Sequence, residues 1–369
     1  MENESKDTRQ LGLIAMPGTE EFCDKVDNYL RQWHETGASF KVPVDFVRFT
    51  TGDGKAVMEE SVRGMDLFIV SDPQNYSVTY KMHNLDNHMS PDDHFQDVKR
   101  VISAINGKAA RISVMMTVLY GGRQDVRNMR ESLDGAMALK ELESFGVRNV
   151  ITFDAHEPKV QNAIPLLSFD NFYPIYQMLK SFVRNVPDAD LTAGSTIVVA
   201  PDAGSIRRCN NLVETLGLDL GMFYKQRDLK NTVDGNNKIM RHEYIGNSVL
   251  GMDVIMVEDI IATGGSMIDS FAELKRLGAG RVFAFVTFGV FTKGFKQFDE
   301  AYEKGLFDKI FITNLTYHKT EGRERPYIVN VDMSKYAAYI IDSIYNEISI
   351  SHVIDPSKKI RELMGRVRG

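Results

Sequence analysis

Cysteine is nearly absent from the chain: Cys23 and Cys209 are the only two in 369 residues. That scarcity excludes a disulfide framework and a cysteine-ligated zinc site, and it implies a reducing compartment. Long apolar runs are missing as well. The first run, Leu11 to Met16, falls far short of a secretory leader or of the ~20 residues that cross a bilayer. The polar residues before it are read as a short frayed start, and the chain is expected to be cytoplasmic, with no membrane partner. Excess basic charge is lacking too. A net charge of -6 and a pI near 5.8 argue against a nucleic-acid or anionic-membrane surface. Low-complexity segments and short-period repeats do not occur. What is there has an ordinary globular composition, 43% hydrophobic and 25% charged.

At ~100–200 residues per domain, this length implies two domains, each able to bury its own core. Short apolar runs alternate with helical patterns almost throughout. Strands are expected at 11–16, 44–49, 65–70, 112–120, 149–154, 195–202, 219–225, 253–259, 281–288, 309–314 and 327–332. Helix-length segments between them, such as FCDKVDNYLRQWHE and GSMIDSFAELKRLG, carry the 3.6-residue period, and several end at glycine. Alternating strand and helix implies an α/β architecture with mostly parallel sheets. The strands exceed one ordinary sheet and are divided between two similar domains, 1–160 and 161–333. A C-terminal helix and tail, 334–369, are expected to pack back on the first domain. The division falls near EPKVQNAIPLLSFDNFYP, where prolines break the period.

The stretch VIMVEDIIATGGSMIDS (254–270) carries the most chemistry. A strand ends near Asp259 and a helix begins near Ser266. Between them a Thr-Gly-Gly-Ser turn presents backbone N–H groups at a helix N-terminus, which suits a phosphate monoester. Glycine lets the backbone approach closely. Glu258 and Asp259 cannot hold phosphate, but carboxylates accept hydrogen bonds from vicinal hydroxyls such as those of a ribose. A sugar phosphate therefore fits the stretch; the plainer reading is a strand-to-helix turn with a solvated acidic pair. STIVVAPDAGSIRRC (195–209) repeats the arrangement with Asp202, an Ala-Gly-Ser turn and Arg207-Arg208. It is either a second anion site beside a carboxylate or a common α/β turn with solvated arginines.

These two stretches and several others resemble the ribose-phosphate diphosphokinases, or phosphoribosyl pyrophosphate synthetases. VIMVEDIIATGGS resembles the ribose-phosphate loop shared by enzymes that make and enzymes that use phosphoribosyl diphosphate. FTTGDGKAVMEESVRGMDLFIV (49–70) resembles the Phe-x-x-Gly-acid to Glu-x-Val-Arg-Gly region of the makers. GGRQD (121–125) resembles their Ala-Arg-Gln-Asp segment, and VITFDAHEP (150–158) their Asp-x-His segment. VAPDAGSIRR resembles their pyrophosphate-side loop, and YKQRDLKN (224–231) their Lys-x-Arg loop. FGVFTKG, FITN and VDMSKYAAYIIDSIYNEISIS follow in family order, so the likeness runs from about residue 12 to residue 351.

The resemblance implies two phosphoribosyltransferase-like domains, nucleotide on the first and ribose 5-phosphate on the second. It implies transfer of the diphosphoryl group of ATP to the anomeric hydroxyl of ribose 5-phosphate, giving phosphoribosyl diphosphate and AMP. By the same likeness, Phe49, Asp53, Arg123 and Gln124 would bind ATP. His156 and Asp202 would hold Mg2+, for which histidine is the less expected ligand. Lys225 and Arg227 would be catalytic, closing over the triphosphate from a polar, mobile segment. Glu258 and Asp259 would take the ribose hydroxyls, and Thr263, Gly264, Gly265 and Ser266 the 5-phosphate. The family's assembly, a homo-oligomer built from dimers and often a hexamer, is implied with it.

Several positions depart from the family pattern. Thr51 stands where the nucleotide loop has an acid, Ala262 where the ribose loop has one, Phe288 in place of a histidine, and Asn128 in place of an acid. Residues 74–93 are longer than the family's equivalent; His83, His88, Asp86, Asp92 and Asp93 within them fit no metal spacing, and a polar surface insertion is expected. Ala262 supports one alternative, a phosphoribosyltransferase. The departures together support another, a non-catalytic synthetase-like regulatory protein.

Overall fold

A computed structural model of the chain describes residues 9–368 apart from Asp125, Asn128, 234–235, 319–321 and Arg323. The side chains of 225–242, His352 and 366–368 also lie outside the described residues. The chain divides into two compact units. The first comprises Met1–Tyr173, Asn314–Tyr317 and Asp332–Ile354; the second comprises Pro174–Thr313, His318–Val331 and Asp355–Gly369.

The first unit is built on a parallel sheet of order β1-β4-β7-β8-β9. Its strands are β1 (Leu11–Ala15), β4 (Asp66–Ser71), β7 (Arg111–Met116), β8 (Asn149–Phe153) and β9 (Ser168–Phe172). β4 and β8 are buried almost end to end, as expected of strands covered on both faces. Helices α1 (Glu20–Trp33), α2 (Pro91–Ile105) and α3 (Asp134–Ser144) flank the sheet. Phe95, Val98, Val101 and Ile105 of α2 recur at helical spacing and join Ile14, Leu67, Ile69 and Val114 in one core. α2 starts sharply because Ser90 and Asp93 form a reciprocal capping box ahead of Pro91. Two antiparallel hairpins stand beside the sheet, β2 (Val44–Arg48) with β3 (Gly54–Met58), and β5 (Thr79–Met82) with β6 (Leu85–His88).

The second unit carries a sheet of order β12-β11-β10-β13-β14-β15-β16. Its strands are β10 (Thr196–Ala200), β11 (Asp219–Val233), β12 (Asn236–Ile245), β13 (Asp253–Ile261), β14 (Val282–Gly289), β15 (Lys309–Thr313) and β16 (Ile328–Val331). All neighbours run parallel except the β11–β12 arm at one edge. Helices α4 (Ile175–Asn185), α5 (Ile206–Leu216), α6 (Gly265–Arg276) and α7 (Lys296–Glu303) cover it. Phe182 of α4 meets Phe283, Phe285 and Phe311 edge-on, with ring centroids 5.0–5.6 Å apart.

All the expected strands occur, together with β3, β5, β6, β9 and β12, which the sequence pattern does not announce. The α/β class with two mostly parallel sheets is as expected. The units divide at Tyr173/Pro174 instead of 160/161, because β9 pairs with β8 and completes the first sheet. The tail also divides. The helix Ser334–Tyr345 belongs to the first unit, where Tyr336 packs on Phe153 and Phe172 and His34 Nε2 lies 2.7 Å from Asp342. The helix Ser357–Arg368 belongs to the second, where Thr215 and Ser357 hydroxyls lie 3.4 Å apart. Among the described residues no helix is long and apolar enough to cross a membrane.

Candidate active site

In the second sheet β11 lies on one side of β10 and β13 on the other. The chain leaves β10 through α5 toward β11 and later returns to the opposite flank, so the strand order reverses between β10 and β13. In open parallel sheets this reversal leaves a crevice outside the carboxyl ends, where ligands settle. The register pairs Val199 with Met256. Continued by two or three residues, it sets Asp202 level with Glu258 and Asp259.

A buried charge cluster forms there. Asp202 caps the short turn after β10 by accepting from the Ser205 N–H at 3.2 Å and the Ser205 hydroxyl at 3.2 Å. The same hydroxyl lies 3.3 Å from both Glu258 oxygens. Glu258 Oε1 accepts from the Asp259 N–H at 2.9 Å. Arg208, only 8% exposed, stands 3.7 Å from Glu258 and 3.6 Å from Asp259. Burial, the adjoining Asp259 carboxyl and then Asp202 push the Glu258 carboxyl well above its usual range, while Arg208 opposes them. The arginine pair is therefore not uniformly solvated: Arg208 is buried against the acids, and Arg207 is exposed.

The turn after β13 is clamped from behind. Gly264 caps α6 at φ 84°, and a Cβ there would lie 2.3 Å from the buried Phe298 ring. Only glycine meets both conditions. The Ala262 carbonyl accepts from Thr292 N–H at 2.9 Å, and the Gln297 amide donates to the Thr263 carbonyl. A Cβ on Gly265 would meet nothing within 4 Å. Met267 N–H donates to the Gly264 carbonyl at 3.1 Å, and the turn ahead of it forms a helix N-terminus, the kind of place where anions bind. Thr263 and Ser266, half-buried, flank the glycines.

In the first unit, Phe49 and Asp53 share one hairpin tip between β2 and β3. Phe49 is 48% exposed, and Lys55 Nζ lies 5.9 Å from its ring centre. Phe49 N–H donates to the Asp53 carbonyl, and the Thr51 hydroxyl donates to the Asp53 carboxylate, both at 2.8 Å. Thr51 thus orients the acid beside it. Arg123 and Gln124, both exposed, occupy a separate loop after β7; the Gln124 N–H donates to the Gly121 carbonyl at 2.8 Å. His156 is exposed beyond β8, just after the buried Asp154 turns the chain at φ 40°. His156 and Asp202 fall in different units. Phe288 is buried in β14 and has a packing role. A groove of about 710 Å3 between β3 and α2 contains none of the expected site residues.

Lys225 and Arg227 lie on β11, registered opposite His242 and Ile239 of β12, and their side chains fall outside the described residues. Asn128 does too. Among the described residues no three His, Cys, Asp or Glu are grouped as a metal cage, including those of 74–93, where His83, Asp86 and His88 lie on the β5–β6 hairpin and Asp92 and Asp93 open α2. Sequence reasoning placed Ser205 and Arg208 in a possible anion site without pairing them with Glu258 and Asp259, and it left out Gln297. Their signal was weak, since a small turn, an arginine beside another arginine and a lone glutamine occur on many surfaces.

Residues 11–146 match the family model for the N-terminal domain of ribose phosphate pyrophosphokinase, and residues 173–319 the phosphoribosyl transferase domain. The chain is 24% identical over 313 residues to ribose-phosphate pyrophosphokinase A of Dictyostelium discoideum, covering 84% of this chain and 89% of that one. It is 27% identical over 312 residues to the ribose-phosphate pyrophosphokinase of Vibrio cholerae, covering 82% and 88%. Its fold is similar to that of phosphoribosylpyrophosphate synthetase from Mycobacterium smegmatis, with a TM-score of 0.72, 19% identity, and coverage of 92% and 100%.

Proposed function

The chain belongs to the ribose-phosphate pyrophosphokinase family, and we propose that it transfers the diphosphoryl group of ATP to the anomeric hydroxyl of ribose 5-phosphate. The observation that carries this reading is the juxtaposition, at one strand-order reversal, of the Glu258–Asp259 pair with an amide-lined turn that requires Gly264. The turn 263–266 takes the 5-phosphate, and the carboxylates accept hydrogen bonds from the ribose hydroxyls. Arg208, beside both acids, opposes the rise in the Glu258 carboxyl. The tip bearing Phe49 and Asp53 holds adenine by stacking and hydrogen bonding, and Arg123 and Gln124 hold the nucleotide's phosphates and ring.

In the reaction the anomeric oxygen attacks the β-phosphorus, the bond from that phosphorus to the α,β-bridging oxygen breaks, and AMP departs with that oxygen. The hydroxyl proton passes to solvent. Catalysis of this kind rests on positioning and charge neutralisation. Lys225 and Arg227 supply the neutralising charge from the β11–β12 arm. The residues present fit Mg2+: Asp202 meets Ser205 through Oδ1 and has Oδ2 to offer. Mg2+ usually takes one or two carboxylates and completes its shell with water and substrate phosphates. His156, in the first unit, is the weaker metal donor in this reading. When bound, the ion would neutralise phosphate charge. A cytoplasmic homo-oligomer is part of the same reading, checked by sedimentation.

Incubation with ATP, Mg2+ and ribose 5-phosphate should release AMP in equal amount with a diphosphorylated sugar. Release of ADP, or no product across metal and phosphate conditions, would sink the reading. Ala262 favours one competitor, a phosphoribosyltransferase, which would instead release diphosphate only when a nucleobase is added.

A further inference from the structure

Residues 74–93, the segment that sets this chain apart from the family pattern, build a strut. β5 and β6 are joined by His83 and Asn84 at φ 50° and 63°, the pair of left-handed residues that a tight two-residue hairpin turn demands. The base of the hairpin is tied down. Met89 N–H donates to the Val78 carbonyl at 2.8 Å, His94 Nε2 lies 2.6 Å from the Asn75 carbonyl, and Asn75 donates to the Gly18 carbonyl at 2.9 Å.

The other end of the strut reaches the loop assigned to the nucleotide base. His83 N–H donates to the Thr50 carbonyl at 2.9 Å. Met82 covers Gly52, whose φ is 97° and whose added Cβ would lie 2.6 Å from the Met82 sulfur. Tyr80 lies under the Arg48 guanidinium, 4.8 Å from its ring centre, while Arg48 pairs with Asp97 of α2 at 2.7 Å. A two-stranded ribbon is marginal by itself. β2–β3 rests on the core through Val44, Phe46, Ala56 and Met58, all short of its tip. The tip is therefore held by its own turn and by the second hairpin.

We propose that the β5–β6 hairpin is a positioning element for the donor nucleotide, acting through Met82 and His83 on the loop that carries Phe49 and Asp53. The inference rests on the assignment of that loop to ATP. It accounts for the placement of the insertion without a metal, and for a loop that lacks the family's acid yet keeps a fixed shape through Thr51.

The test compares Met82→Ser, Met82→Leu and a shortened chain in which residues 79–88 are replaced by Gly-Gly, closing on the existing Val78–Met89 hydrogen bond. Leu85→Ser, paired with Met82 across the ribbon but 68% exposed, is the control. ATP binding without sugar is measured by calorimetry, and KM for each substrate by AMP release. Met82→Ser should raise both Kd and KM for ATP about fivefold, with kcat and the KM for ribose 5-phosphate within about twofold; Met82→Leu, similar in volume, should restore them. The shortened chain should lose about tenfold or more in ATP affinity. A folded shortened chain that binds ATP like the parent overturns the proposal. So does a uniform loss of kcat and both KM values. If the shortened chain does not fold, the Met82 pair decides. If the parent binds ATP but releases no AMP, the proposed reaction falls and the calorimetric comparison alone judges the strut; if it binds no ATP, both fall.

Discussion

Arg208 and Glu258 lie 3.7 Å apart, one on the helix after β10 and the other at the end of β13. Neither is near the other in sequence, and the guanidinium is all but buried. It also faces Asp259 at 3.6 Å, so one cation opposes the burial and the neighbouring acid that drive the Glu258 carboxyl toward protonation. Arg208→Ala removes that opposition. The Glu258 carboxyl then stays protonated to still higher pH, and a protonated acid accepts hydrogen bonds poorly. We expect kcat/KM for ribose 5-phosphate to fall about 100-fold, since breaking a buried ion pair costs roughly 3 kcal/mol or more. The acidic limb of its pH profile should move to higher pH; an unmoved limb would show that the arginine acts only by packing.

Gly264→Ala should be destabilising by ~2–4 kcal/mol, because φ 84° and the Phe298 ring both oppose a side chain. The ring cannot yield easily, since it packs edge-on against Phe291 at 5.1 Å. Gly265→Ala should leave the melting temperature nearly unchanged, as its Cβ enters open space. That space is where the 5-phosphate is assigned, so its KM for ribose 5-phosphate should still rise. Melting curves and separate KM values for the two substrates distinguish the cases.

Lys225→Ala should lower kcat by orders of magnitude while calorimetric ATP affinity changes little, because the arm acts on charge that develops in the transition state. Equal loss of binding and turnover would reassign the residue to ground-state binding.

Asp72 is buried, and among the described residues no cation pairs with it; burial pushes its carboxyl up to about 7 although Gln74 and Tyr317 N–H groups and the Thr316 hydroxyl donate to it. A group raised in the folded state stabilises most below its unfolded pKa near 4, and that stability is lost as pH rises through about 7. Asp72→Asn sets an amide NH2 against at least one of those donors, costing about 1–3 kcal/mol at pH 4. The deficit should shrink as pH rises, by up to ~1.4 kcal/mol per unit, until the native carboxyl is ionised. Thermal melts of both proteins from pH 4 to 8 read this convergence; parallel curves would exclude it.

Cys23 and Cys209 should both resist a thiol reagent in the native protein and react together on unfolding. Each is fully buried, and burial pushes the Cys23 thiol up to about 12, leaving almost no thiolate at neutral pH. Stoichiometric labelling of either thiol before the unfolding transition would contradict the packing.

Much of this molecule is local, and so was legible. Buried parallel strands such as Val254–Val257 are continuous apolar runs, and a turn that accepts only glycine leaves Thr-Gly-Gly-Ser in the chain. The strands that escaped notice lack such a signature. β9 is Ser-Phe-Asp-Asn-Phe, and its place is set by pairing with β8. β5 and β6 face solvent on much of their surface, so no core face imposes an alternation.

The sequence by itself determined the α/β class, the Thr-Gly-Gly-Ser turn and the acids before it, because each depends on neighbours within a few residues. Only the tertiary structure decided which side chains those acids meet. Ser205 and Arg208 reach Glu258 because β10 and β13 are hydrogen-bonded neighbours, and Met82 reaches Gly52 because two hairpins lean together. Strand order and the approach of distant segments arise from burying a whole core at once, a property that no short stretch of chain contains.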